Sequence, residues 1–268
     1  MGVLLMLGLL QAKERIVALS PAINELIFAM DRGDWVVGNT QYASYPLQSQ
    51  KVAKVGGFFD VSFEALLKLK PTLVIMQPHN TKFIKHLEAF GIGYALINVD
   101  RLQSIQEGII TIGTLLRNPQ GAKSIVERIQ TQLKSLQGIT HNQKILMVIG
   151  DTIDFQKGVF IVGHGLYLHD IIEISGNHNA YASKLPQQPI LSYENIIATQ
   201  ADILIILAPN SNRSQEVIKQ AWSQLPIPAI QKGNIFVMQE EYVSIPSDRL
   251  VLFLEDFKKI LEVSRKSK

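Results

Sequence analysis

Short apolar runs alternate with stretches of helical period along this chain. Arg15–Leu19 reads as a strand, and Ser20-Pro21 then opens a helix that runs to about Met30 with Ile23, Leu26, Ile27 and Met30 on one face. Trp35–Gly38 is a second strand, Val61–Leu69 a short helix and Leu73–Met76 a strand. Lys82–Phe90 is a helix closed by Gly91, and Tyr94–Val99 a strand. From Ser104 the period is purely helical: one run reaches Asn118-Pro119, and a second, from Ala122 to Leu136, ends at Gly138. The second run covers about 18 residues, or about 27 Å, enough to cross a small domain. Alternation then resumes with strands at Lys144–Ile149, Phe160–Val162, Ile203–Leu207 and Ile235–Val237. Helices are expected at Leu166–Ile174, Tyr193–Thr199 and Gln215–Trp222, and Pro246-Ser247 opens a last one.

Strands alternating with helices of this length imply βαβ units and largely parallel sheets. The two halves also echo each other. Ser62-Phe63-Glu64-Ala65-Leu66-Leu67 precedes the strand Leu73–Met76, and Ser192-Tyr193-Glu194-Asn195-Ile196-Ile197 precedes Ile203–Leu207. The predicted fold class is α/β: two Rossmann-like lobes, 13–117 and 139–268, joined by one long backbone helix at 118–138. Each lobe has a mostly parallel sheet flanked by helices, and a ligand is expected in the cleft between the lobes, near the carboxyl ends of the strands.

Composition removes alternatives. The chain has 268 residues and no cysteine, so disulfide scaffolds, thiolate metal sites and thiol nucleophiles are excluded. A net charge of +3, with Lys and Arg scattered, does not ask for nucleic acid. Residues 1–12 are uncharged and too short an apolar run to span a bilayer. They are read as a secretory signal, and with no cysteine behind them a lipid anchor is excluded.

No nucleophile elbow, phosphate loop, zinc-protease helix or dinucleotide fingerprint is present. His79 follows a strand in Gln77-Pro78-His79-Asn80. Gly163-His164-Gly165 is either a turn presenting His164 to the cleft or a strand-to-helix reversal with a solvated imidazole. His164 and His169 stand about 140° apart around a helix, so a regular helix does not bring them to one metal. A metal held by His79 and His164, with Asp151 or Asp154, fits the spacing without being demanded by it. Aromatics in predicted loops are Tyr42, Tyr45, Phe58, Phe59, Phe155 and Tyr242, and such rings line clefts for large, partly flat ligands.

The runs R-I-V-A-L-S-P-A-x-N-E-L-x-F-A, V-V-G-N-T-x-Y-A-S-Y-P, K-V-G-G and S-F-E-A-L-L-K-L-K-P-T-L-V-I resemble the periplasmic binding proteins of ABC importers for cobalamin, ferric siderophores and haem. The cobalamin-binding branch is the nearest match. The resemblance implies a soluble, exported, monomeric receptor without enzymatic activity or intrinsic cofactor, whose ligand is a metal chelate. It implies docking of Glu64 and Glu194 to arginines of an ABC permease dimer. It also implies ligand contacts at Tyr42, Phe58 and Tyr242, to which the loop reading adds Phe59, His79, Phe155 and His164. Gln77 and Gln188 stand where the cobalamin binders carry tryptophans, and the Gly150–Gly158 loop is longer than theirs. These departures leave open a ferric siderophore, a corrinoid, or a nickel or cobalt complex. A bare-metal or oxyanion receptor and a chelatase-like enzyme remain as alternative classes.

Overall fold

Apolar, β-branched runs with no polar interruption become strands buried on both faces, as parallel sheets require. Ile203–Leu207 and most of Lys144–Ile149 are of this kind. The structure is a computed structural model that describes residues 13–181 and 189–266. The expected signal at 1–12 and Gln188 lie outside the described residues. The chain divides into two compact units, one ending at Leu96 and the other spanning Ile97–Lys268.

In the first unit the strands are β1 (Ile16–Ala18), β2 (Val36–Asn39), β3 (Ala53–Lys54), β4 (Leu73–Met76) and β5 (Gly93–Leu96). They form one parallel sheet in the order β3-β2-β1-β4-β5. Helices α1 (Pro21–Ala29), α2 (Phe63–Lys68) and α3 (Ile84–Ala89) accompany it. Val17, Leu19, Leu66, Val74, Met76 and Leu87 close one side of the core. The helix expected from Lys82 begins earlier, as a 3-10 turn over Pro78–Phe83, and only then becomes α-helical.

The second unit opens with α4 (Leu102–Leu115) and α5 (Pro119–Ser135), which pack on each other. The division at Leu96 thus groups both helices with the second unit, whereas the sequence boundaries at 117 and 138 mark helix ends. Strands β6 (Lys144–Ile149), β7 (Val159–Phe160), β8 (His178–Asn179), β9 (Ile190–Leu191), β10 (Ile203–Leu207) and β11 (Ile235–Met238) follow. The parallel sheet runs β11-β10-β6-β8, and β7 pairs antiparallel with β9. Around them lie α6 (Tyr167–Ile174), α7 (Tyr193–Ala198), α8 (Gln215–Trp222), α9 (Pro228–Gln231) and α10 (Leu250–Lys266). The terminal helix α10 packs on α5, with Gln132 Nε2 donating to Glu255 Oε1 at 3.3 Å.

The repeat seen in sequence is a repeat in geometry. Ser62 Oγ accepts from Ala65 N at 3.2 Å, and Ser192 Oγ from Asn195 N at 3.3 Å, capping α2 and α7 alike. Both turns end on a left-handed residue, Lys70 and Gln200, each with φ 47°. The edge behind is latched the same way twice. Arg15 N donates to Thr72 Oγ1 (3.0 Å) while Thr72 N donates to Arg15 O (2.9 Å). Lys144 N donates to Asp202 Oδ2 (3.1 Å) while Asp202 N donates to Lys144 O (2.8 Å).

Candidate functional site

In an open parallel sheet, loops diverge where the strand order reverses, leaving a crevice beyond the carboxyl ends of the two central strands. In the first unit the reversal lies between β1 and β4. There Gln77 Nε2 donates to Ser20 Oγ at 2.9 Å. The Ser20 hydroxyl, at the N-cap position of α1, makes no capping hydrogen bond and instead bridges two strand ends.

The neighbouring loops carry the aromatics. Tyr42 follows β2 and is 60% exposed; Phe59, after β3, is 72% exposed. Phe58 and Phe59 meet edge-to-face at 4.8 Å between centroids, and the His79 ring lies 4.2 Å from Phe58 and 5.4 Å from Phe59. His79 Nε2 is 2.9 Å from Asn80 Nδ2, which fixes the ring beside a buried residue. Gln41 N donates to Gly56 O at 2.9 Å, tying the Tyr42 loop to the Phe58 loop. Five residues expected to meet a ligand, Tyr42, Phe58, Phe59, Gln77 and His79, thus lie on one edge of one sheet.

A buried polar network supports that edge. Asn39 Nδ2 donates to Asn24 Oδ1 (2.9 Å) and Ser49 O (3.0 Å), and Asn24 Nδ2 to Tyr45 O (3.0 Å). Lys54 Nζ donates to Asn39 Oδ1, Ala43 O and Ser49 O at 2.8, 3.1 and 3.2 Å. Burial lowers the Lys54 pKa, and the hydrogen bonds from the ammonium offset that cost. Sequence reasoning missed this network because it joins residues of four separate segments.

In the second unit the reversal lies between β6 and β10. Asp151, just past β6, accepts from Ser211 Oγ and from Arg213 Nη1, both at 2.6 Å. The Ser211 hydroxyl, then the Arg213 guanidinium, hold the Asp151 carboxyl below the usual carboxylate range. Gln239, at the end of β11, donates Nε2 to Arg213 O at 2.6 Å. Three strand ends therefore build one polar crevice. Arg213 and Gln239 were not anticipated; the available signal was an arginine a few residues beyond a fully buried strand.

Other expected ligand residues are placed differently. Phe155 does not stand open on its loop: its ring lies edge-on to Trp222 (4.9 Å) and Tyr193 (5.6 Å), against the core. The loop carrying it is held by Trp222 Nε1, which donates to Thr152 O at 2.9 Å. Tyr242 donates its hydroxyl to Asp256 Oδ2 of α10 at 2.6 Å; burial, and then that carboxylate, push its phenol above the usual tyrosine range. His164 sits in the turn before α6, so the helical-wheel separation from His169 does not apply, and the two rings are 4.1 Å apart. Among the described residues no group of three or more His, Asp or Glu gathers as a metal site.

Glu64 and Glu194 both stand exposed in the first turn of their short helices. Glu64 pairs with Lys68 at 2.7 Å. The position matching Lys68 is Ala198, and among the described residues no cation pairs with Glu194. The backbone amide of Glu194 itself, then the Ser192 hydroxyl, hold that carboxyl below its ordinary pKa. Beside it lies an open groove of about 630 Å³ lined by Ile153, Asp154, Phe155 and Tyr193.

Two α/β units, each presenting polar or aromatic loops from the carboxyl ends of parallel strands, define a two-lobed α/β protein with its chemistry at strand ends. The chain belongs to the periplasmic binding protein family, whose profile matches residues 16–242. A vitamin B12-binding protein of Vibrio campbellii (strain ATCC BAA-1116) is 21% identical over 243 residues, 88% of this chain and 85% of the relative. The heme-binding protein RhuT from Roseiflexus sp. RS-1 superposes with a TM-score of 0.77 at 23% identity, covering 95% of this chain and 100% of that one. The vitamin B12-binding protein BtuF of Vibrio cholerae gives 0.78 at 20% identity, covering 94% and 98%. At these identities the structures speak to the fold. No described helix is long and apolar enough to cross a membrane.

Proposed function

We propose that this chain is an exported, monomeric receptor that captures a metal chelate outside the cytoplasm and hands it to an ABC permease dimer through Glu64 and Glu194. Residues 1–12 serve as the export signal. The chelate is cargo, and the protein carries no cofactor of its own.

The observation that carries this reading is the aromatic edge of the first sheet, where Tyr42, Phe59 and His79 are exposed and Phe58 is half-buried between them and the sheet. Exposed rings on a rigid, hydrogen-bonded platform favour a large ligand with a flat apolar face. Relatives named for vitamin B12 and heme support a macrocyclic metal complex of that size. His79 offers a nitrogen beside the rings for the metal or its periphery.

Fluorescence titration with cyanocobalamin, hemin and a ferric siderophore tests the reading. At least one is expected to bind, and F58A/F59A is expected to weaken it by about tenfold or more, as loss of two stacked rings implies. Absence of binding to every chelate, or full affinity in the double variant, counts against it.

A further inference from the structure

We infer that His169 is a proton-operated catch on the edge strand β8. Neutral, it leaves Glu173 of α6 holding the strand; protonated, it draws Glu173 to itself and loosens residues 178–181.

The edge strand supplies the first half of the argument. β8 is the last strand in the order β11-β10-β6-β8. Its inward amides are paired with the sheet: His178 N donates to Gln143 O and Ala180 N to Ile145 O, both at 2.9 Å. Asn179 N, between them, points away from β6 and has no strand to meet. An outward N–H on an edge strand needs another partner. Glu173 provides it, with Oε1 accepting from Asn179 N at 3.0 Å. A second tie comes from the turn before α6, where His164 Nε2 donates to Tyr181 O at 3.1 Å. Oε2 of Glu173 lies 3.5 Å from Nδ1 of His178.

His169 stands against both ties. Its Nδ1 is buried without a hydrogen-bond partner, 4.0 Å from the same Glu173 Oε1 that holds Asn179. In the neutral ring with its proton on Nε2, Nδ1 is only an unfilled acceptor. Protonation makes it a buried, charged donor, which costs far more to leave unpaired. At 4.0 Å no hydrogen bond exists, so the carboxylate must move to make one, away from Asn179 N. The His164 ring is 4.1 Å from the His169 ring, so the same proton disfavours a charge on His164 and strains its hold on Tyr181 O. One proton thus acts on two ties to one segment. The other charges facing His169 are Asp170 on its own helix and Arg101 at the start of α4. Burial, and then His164, hold the ring's pKa below that of an ordinary histidine, which keeps the catch closed at neutral pH. Solvent reaches the ring through an open groove of about 800 Å³, lined from α4 by Leu102, Gln106 and Glu107 and from α6 by His169, Glu173 and Ile174.

Hydrogen exchange of the full chain, followed amide by amide by NMR, tests the catch. Between about pH 7.5 and about pH 5, either side of the ordinary histidine value, protection of the Asn179 and Tyr181 amides is expected to fall by about tenfold or more after correction for intrinsic rates. The β10 amides, Ile203–Leu207, are expected to keep their protection, which separates local opening from general acid unfolding. The His169 ring, titrated in the same samples, is expected to protonate below the ordinary histidine range and over the pH interval in which Asn179 loses protection. In H169Q, protection of Asn179 at about pH 5 is expected to stay close to its value at about pH 7.5.

The inference is overturned if Asn179 stays protected while His169 protonates, or if the ring titrates at or above the ordinary value. It is equally overturned if β10 loses protection in step with β8, or if H169Q opens as wild type does. Should H169Q fail to fold, the wild-type ring titration set against wild-type exchange decides the matter alone. None of these outcomes bears on the receptor reading, which the chelate titrations test separately.

Discussion

His169 has 11% of its side chain exposed, and its Nδ1 is buried without a hydrogen-bond partner. Burial, and then the neighbouring His164, lower its pKa below that of an ordinary histidine. Glu173 and Asp170 pull the other way, and Arg101 acts with the burial. Below the unfolded value the unfolded chain binds more protons at this position than the folded one, so stability rises with pH through that window. Stability should therefore fall as pH drops below about 6.5. H169Q should flatten that part of the profile relative to wild type, measured by urea unfolding across a pH series. An unaltered slope would mean the imidazole is not the titrating group.

At the same scale, sequence patterns locate loop aromatics but not where their rings turn. Tyr42 and Phe59 are exposed as expected, whereas Phe155 folds back because Trp222 and Tyr193 offer it an apolar surface. The Asp151–Arg213 pair joins residues 62 apart in sequence, which no local pattern encodes.

Among the elements, the uninterrupted apolar strands β4 and β10 and the amphipathic helix α8 were legible almost residue for residue. The two-residue strands β3, β8 and β9 and the four-residue α9 were not, since such lengths carry no measurable period. Nor does a period reveal which partner completes a helix end. Asp170, at the start of α6, accepts from Leu102 N at 2.9 Å and binds Arg101 through Nε (3.0 and 3.1 Å) and Nη2, so an aspartate from α6 caps α4. D170A should lower stability by about 1–2 kcal/mol, the range for lost caps, with little added by a half-exposed arginine. Thermal unfolding checks this, and D170N, which keeps an acceptor, should recover part of the loss.

Taken whole, the chain is one α/β design used twice, and that was readable from the recurrence of Ser-aromatic-Glu before a strand. How the copies differ was not. Glu64 is paired with Lys68 on the helix surface, and Glu194 stands with Asp154 beside an open groove. If the two glutamates dock to a permease, E194Q should reduce chelate-dependent uptake in reconstituted vesicles more than E64Q does, by severalfold. K68A should restore weight to Glu64, and solution affinity for the chelate should stay as in wild type. Equal losses from E64Q and E194Q would show that Lys68 does not matter.

The paired latch, Arg15 with Thr72 and Lys144 with Asp202, closes each sheet at the amino-terminal edge of its strands. The loops argued to meet the ligand all leave from the opposite edge. The latches and the loops proposed to meet the ligand thus lie at different ends of the same strands. Those loops can then be exchanged for the loops of another receptor without touching the latches, provided the buried Asn24–Asn39–Lys54 network beneath them is kept.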